Sequence, residues 1–239
     1  TLNTLLLARL YWPQTTELSR IAMGCLFHDI GCLFLPPEIA DGNVEMDGQQ
    51  ARQYQLHALY GYFLLHELPQ VNLLATHIAF QHHENQDGSG YPRGVQGTNK
   101  IYVAEQAASK ESGKIHRYAN LAAITNLFDR LCMPRPQGHG MTQDQAVRII
   151  HQHAGTRLNA EGTKDFLQMT PAYPLGSIVL INRGDFKGYK AVVAKVDPDN
   201  LHKPTIRILF DRKRNRLPQP IDVDLKEYED PIGLRAIRY

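Results

Sequence analysis

The spacing of apolar residues changes once along this chain, near residue 170, and the change restricts it to a helical part followed by a β part. Before that point apolar side chains recur every three or four residues, as in Leu18, Ile21, Ala22, Cys25 and Leu26, or Leu56, Leu59, Tyr60, Phe63 and Leu64. Such spacing lines one face of an α-helix. Beyond it, residues 177–181, 191–196 and 205–210 are short β-branched runs. Turn chemistry separates them at Gly184-Asp185 and Asp197-Pro198-Asp199-Asn200. Pro171 and Pro174 mark the join. The expected fold is mainly α: a helical domain over residues 1–173, then a small all-β barrel or sheet over residues 174–239.

Stop signals place the helices. Residues 2–10 read as the end of an apolar helix, stopped by Trp12-Pro13. Thr15 or Thr16 caps the next, which is expected to carry His28-Asp29 near its end and to finish at Gly31 and Pro36-Pro37. Residues 50–68 form a helix carrying His57, and residues 71–83 form one ending in His82-His83-Glu84. Four glycines and a proline make residues 87–97 a loop. Residues 98–114 are polar without a period, and residues 115–133 return to helical spacing. Thr142 with Gln145 forms a capping box for a helix through His153, closed by Gly155.

Composition narrows the classes. With 43% hydrophobic and 21% charged residues the chain belongs with folded domains, not disordered tails. No apolar run approaches the ~18–20 residues of a membrane span. The net charge of +2 is too small to argue for a nucleic-acid partner. It is uneven, with 13 basic and 15 acidic side chains up to residue 173 but 13 and 9 after it. Arg212-Lys213-Arg214 with Arg216 is expected to be a solvated hairpin. The first residue is Thr1, which suggests an excised or processed fragment. Three cysteines (Cys25, Cys32, Cys132) make no disulfide framework and suit a reducing cytoplasm.

Histidine is the second asymmetry: ten of the eleven precede residue 174. Four clusters stand out: His28-Asp29, His57, His82-His83-Glu84, and the pair Asn126 and Asp129. Imidazoles with carboxylates suit iron, manganese or zinc. Two-metal hydrolases hold ions ~3.5–4 Å apart and need a carboxylate able to bridge them. An Asp beside a His at a helix end can do this. Taken alone, a histidine on an apolar helix is more often a packed residue than a ligand. Three such features on successive helices are what point to a metal site.

Longer motifs carry a resemblance. Phe27-His28-Asp29-Ile30-Gly31 resembles the signature of HD-domain metal-dependent phosphohydrolases. The run from His82-His83-Glu84 through Asp87-Gly88-Ser89-Gly90-Tyr91-Pro92 closely resembles the second signature of the HD-GYP family. His57 to Gly61 matches its intervening helix, and Leu127-Phe128-Asp129 with Arg135-Pro136 looks like its last helix and Arg-Pro turn. The resemblance implies an HD-domain helical bundle with two divalent metal ions, iron or manganese, that hydrolyses cyclic di-GMP to pGpG or GMP in bacterial second-messenger signalling. It implies His28, Asp29, His57, His82, His83 and Asn126 as the metal-ligand positions, with Asp29 as the bridging and catalytic carboxylate. Arg135 and position 32 would meet substrate phosphate. Asp87, Gly88, Gly90, Tyr91 and Pro92 would form a loop on which GGDEF-domain proteins dock.

Two positions depart from the family pattern. Cys32 stands where family members carry Lys, and a thiol with a pKa of ~8.5 offers no positive charge at neutral pH. The last helix usually reads Ala-Asp-x-x-Asp-Ala, so Asn126 replaces a ligand Asp while Asp129 is kept. Reduced activity is therefore expected. The alternative is a degenerate domain acting as a cyclic di-GMP receptor or a protein-docking module.

Overall fold

The computed structural model describes residues 1–40, 42, 45–103, 113–134, 139–227 and 233–237. Among them α-helices precede strands, as the change of period requires. The helices are α1 (Leu2–Ala8), α2 (Thr15–Leu26), α3 (Pro37–Ala40), α4 (Gly48–His66), α5 (Leu73–Gln81), α6 (Arg117–Cys132), α7 (Gln143–Gln152) and α8 (Ala160–Met169). A 3-10 helix covers Ile30–Phe34. The strands are β1 (Ile178–Ile181), β2 (Lys190–Asp197), β3 (Asn200–Phe210), β4 (Arg216–Asp224) and β5 (Leu234–Ala236).

The chain forms two compact units. One is Thr1–Arg130 with Ile150–Phe166; the other is Leu131–Ile149 with Leu167–Tyr239. Residues 131–149, read from the sequence as part of the helical domain, thus cluster with the strands. Within that unit Gln143 Nε2 donates to the Pro171 carbonyl at 2.8 Å, and the Met141 amide donates to the Leu131 carbonyl at 2.7 Å.

In the first unit α5 packs against both α2 and α4, and the 3-10 helix packs against α4. Leu7, Ile21, Leu65, Ile78, Leu121 and Ile124 of this unit are fully buried. Helix α4 begins two residues before the apolar pattern suggests, because Asp47 caps it. Its carboxylate accepts from the Gln49 and Gln50 amides, both at 2.8 Å, and Gln50 Oε1 accepts from the Asp47 amide at 3.1 Å. This reciprocal arrangement satisfies amides that a helix start leaves open. Asn72 does the same for α5, accepting from the Leu74 amide at 2.9 Å, so that helix starts at Leu73 and not at Val71.

In the second unit the strands form one antiparallel sheet in the order β4-β3-β2-β1-β5. Alternate residues Val179 and Ile181, Ala191 and Val193, Ile206 and Ile208 point to one buried face with Val223, Leu225 and Leu234. Strands β4 and β5 were not legible as strands. Pro218 and Pro220 interrupt the first, and the second has three residues; both lie at the sheet edges, where such residues are tolerated. Of the box predicted at Thr142, one half forms: its amide donates to Gln145 Oε1 at 3.0 Å, while its hydroxyl turns to Asp144.

Candidate metal centre

Each histidine of the cluster reaches it from a helix end or a helix face. Helix α2 stops at Leu26, so His28 and Asp29 lie in the turn beyond it and not on the helix as expected. The next segment presses on α4 so closely that a Cβ at Gly31 would stand 1.9 Å from the His57 carbonyl oxygen. Only glycine permits that approach, and it carries Asp29 to His57. His57 sits on the buried face of α4. Helix α5 ends at Gln81, which leaves His82 as its cap and His83 in the following turn. The backbone then bends back, with the Tyr91 amide donating to the His83 carbonyl at 3.2 Å.

The ligand atoms of Asp29, His57, His82 and His83 all lie within 4.8 Å of one another. Asp29 faces two ways. Its Oδ2 is 3.1 Å from His28 Nε2, while its Oδ1 is 3.3 Å from His82 Nε2 and 3.5 Å from His57 Nε2. The His57 and His82 Nε2 atoms are themselves 3.5 Å apart. The His57 and His82 side chains are fully buried, and Asp29 keeps 47% of its side chain exposed.

The second nitrogen of each ring sets its tautomer. Nδ1 of His28 lies 2.8 Å from the Cys25 carbonyl, that of His57 lies 2.6 Å from the Tyr54 carbonyl, and that of His82 lies 2.9 Å from the Ile78 carbonyl. A carbonyl only accepts, so each Nδ1 carries the proton and donates it. In a neutral ring the lone pair is then on Nε2, which points into the cluster. Burial pushes His57 down to about 4, helped by the neighbouring His82 charge. His83 is held well below its ordinary value by burial and by His82 and His57. Desolvation would lower His28, but its contact with Asp29 raises it. Desolvation would likewise raise Asp29, but the adjoining His28 and His82 rings hold its carboxyl far below the ordinary carboxylate range.

This donor set fits a divalent cation. Neutral imidazole lone pairs and an ionised carboxylate converge, and such acceptors repel unless a cation lies among them. His83 Nε2 and Asp29 Oδ1 are buried atoms without a hydrogen-bond partner, as coordinating atoms awaiting an ion would be. The two Asp29 oxygens address different imidazoles, which is the geometry a bridging carboxylate needs.

The remaining predicted residues fall into three groups. Asn126, on α6, lines a small cavity with His28, Cys25, Thr125 and Asp129, and Asp129 accepts from Asn3 Nδ2 at 2.9 Å. Cys32 lies half-buried in the 3-10 helix, its thiol pushed up to about 11 by burial and by Asp29. Arg135 lies outside the described residues. Glu84, grouped with His82 and His83 in the sequence, turns away from the centre. Its buried carboxylate accepts from the Arg93 and Val95 amides at 2.8 and 3.1 Å and holds the loop.

The loop itself is partly directed inward. Asp87 accepts from the Ser89 amide at 2.9 Å and hydroxyl at 2.6 Å. A Cβ at Gly90 would stand 2.4 Å from the His83 carbonyl oxygen, so glycine is required there too. Tyr91 stacks on the His83 ring with centroids 4.6 Å apart. Pro92 and Arg93 are exposed. Sequence reasoning missed Tyr54 and Arg130. The Tyr54 ring lies 4.7 Å from that of His57, and the Arg130 charge reaches Cys32, Tyr54, His83 and Tyr91. The unbroken apolar spacing around Tyr54 and Arg130 gives no sign of either.

Residues 4–106 match the family model described as HD domain, and residues 175–206 match that of the KOW motif. The chain is 25% identical over 198 residues to a cyclic di-GMP phosphodiesterase of Pseudomonas aeruginosa, covering 83% of this chain and 43% of that protein. It is 32% identical over 136 residues to a 3'3'-cGAMP-specific phosphodiesterase of Vibrio cholerae, covering 57% and 26%. It is 29% identical over 143 residues to a cyclic di-GMP phosphodiesterase response regulator of Xanthomonas campestris, covering 58% and 33%. The chain therefore spans less than half the length of these relatives. Asp29, at the heart of the cluster, and His28 beside it both fall inside the segment that matches the HD-domain model.

Proposed function

We propose that this chain is the catalytic part of a metal-dependent phosphodiesterase that hydrolyses cyclic di-GMP to pGpG or GMP, with iron or manganese as its cofactor. One observation carries the reading: three rings held by backbone carbonyls direct their Nε2 atoms at Asp29, with His83 beside them. The names of the relatives support a cyclic dinucleotide as substrate.

His57, His82 and His83 would hold one cation with Asp29 Oδ1, and His28 with Asp29 Oδ2 would face a second. Bound divalent ions supply Lewis acidity: they offset phosphate charge and acidify water enough for attack near neutral pH. The chain's own part is to keep the rings in one tautomer and the carboxylate ionised. Burial strengthens each of these interactions. Tyr91 covers His83 and limits water there.

Protein purified anaerobically and supplied with iron or manganese should contain metal and cleave cyclic di-GMP, and His83→Ala should abolish turnover. Metal-free protein, or loaded protein inert toward the dinucleotide, would overturn the reading. The neutral groups at Cys32 and Asn126 favour a second reading, a receptor that binds cyclic di-GMP without cleaving it. Metal-loaded protein that binds the dinucleotide and leaves it intact would establish that one instead. Docking of a GGDEF-domain protein would rest on the exposed Pro92 and Arg93, since Tyr91 faces His83.

A further inference from the structure

Arg130 lies on α6 four residues after Asn126, so both side chains share one helical face. Asn126 lines the cavity beside His28, which places that face toward the cluster. The Arg130 guanidinium donates to the Gly42 carbonyl at 3.2 Å, and a Cβ at Gly42 would meet the Tyr54 hydroxyl. This bond holds the guanidinium near Tyr54, whose ring lies 4.7 Å from that of His57. Its charge acts on Cys32 in the 3-10 helix, Tyr54 on α4, His83 after α5 and Tyr91 in the glycine-rich loop. The Gly42 bond and the adjoining Tyr54 place the guanidinium on the side of the centre where α4 carries His57.

It is also uncompensated. Among the described residues no carboxylate forms an ion pair with Arg130. The neighbouring Asp129 is occupied by Asn3. A half-buried cation without a counter-charge is costly, and a guanidinium has five N–H donors, more than the Gly42 carbonyl uses. A phosphate oxygen satisfies both needs, because the planar fork of arginine matches phosphate geometry. Cys32, the position at which the family pattern supplies a cation, carries a thiol.

We propose that Arg130 binds a phosphate group beside the histidine cluster and supplies the positive charge that position 32 lacks. The inference rests on the phosphodiesterase reading for the identity of the substrate, but not for the anion site. Two measurements on manganese-loaded protein separate the two. Inorganic phosphate binding, followed by calorimetry, tests the site; cyclic di-GMP turnover tests the reading. Arg130→Gln should weaken phosphate binding tenfold or more, as expected for loss of a charge-assisted hydrogen bond. Arg130→Lys should recover part of that loss, and manganese content should be equal in all three proteins. If the wild type cleaves cyclic di-GMP, Arg130→Gln should raise KM more than it lowers kcat. Phosphate binding within twofold of wild type in Arg130→Gln, or no phosphate binding by the wild type, overturns the proposal. So does a loss of phosphate binding in Arg130→Gln that is matched by loss of manganese, because that marks a structural role. A wild type that binds phosphate through Arg130 yet leaves cyclic di-GMP intact keeps the site and rejects the reading.

Discussion

A single proton on each Nδ1 decides what the clustered histidines do. Held by the Cys25, Tyr54 and Ile78 carbonyls, the rings of His28, His57 and His82 present Nε2 to Asp29. Asn126 is the weak member of the neighbourhood, an amide beside His28 where a carboxylate would add charge. Asn126→Asp should therefore slow the loss of metal to a chelator by about tenfold, the equivalent of ~1.4 kcal/mol. An unchanged loss rate would show that position 126 does not reach the ion. His116, outside the set of ligand candidates, gives a pH prediction. Burial pushes it down to about 3, followed by the charges of His77 and Arg117, and its ring stacks on that of His77 at 4.9 Å. The unfolded chain takes up this proton near 6.5. Between about 6.5 and 3 the unfolded state thus binds more protons, and stability falls as pH drops through that window. At pH 5 the loss due to His116 is about 2 kcal/mol. His116→Gln should flatten this acid arm, read from urea midpoints at pH 7 and pH 5. Equal losses in variant and wild type would assign the arm to other groups.

The elements are aligned by close backbone approach as much as by apolar packing. The 3-10 helix after Asp29 lies against α4 only because Gly31 has no side chain. Gly31→Ala should push the two apart, moving Asp29 from His57, and so lower both the melting temperature and the metal content. Retention of full metal content would mean that the Asp29 turn adjusts independently of this contact. Such a contact explains what was and was not legible in the sequence. The helix faces, the glycine-rich loop and the one change of period follow from local rules of spacing, and the histidine clusters follow from motifs. The exact helix ends do not. Leu26 terminates α2 because the following turn must reach α4, a tertiary demand that overrides local propensity. Glu84 clusters with His82 and His83 in the sequence, yet the amides of Arg93 and Val95 claim it. Arg130 was invisible because its significance depends on Cys32, Tyr54 and Tyr91, residues far from it in the chain.

At the scale of the whole molecule, two cores are built on different rules. The metal-ligand candidates all belong to the unit of Thr1–Arg130 with Ile150–Phe166, whereas the sheet's apolar face belongs to the other. Ile206 is fully buried at the centre of that face, on β3 between β2 and β4. Truncating a buried isoleucine removes its apolar burial and leaves a cavity, together worth about 2–5 kcal/mol. Ile206→Ala should therefore destabilise the sheet by that amount. The ligand geometry, by contrast, depends on the Gly31 contact, the carbonyls that hold Nδ1 and the turn after α5, none of which draws on the sheet core. Metal content per chain should accordingly stay at the wild-type value at temperatures where Ile206→Ala remains folded, while the sheet melts earlier by near-ultraviolet dichroism. Loss of metal in step with the loss of the sheet would show that the histidine cluster needs the second unit in order to form.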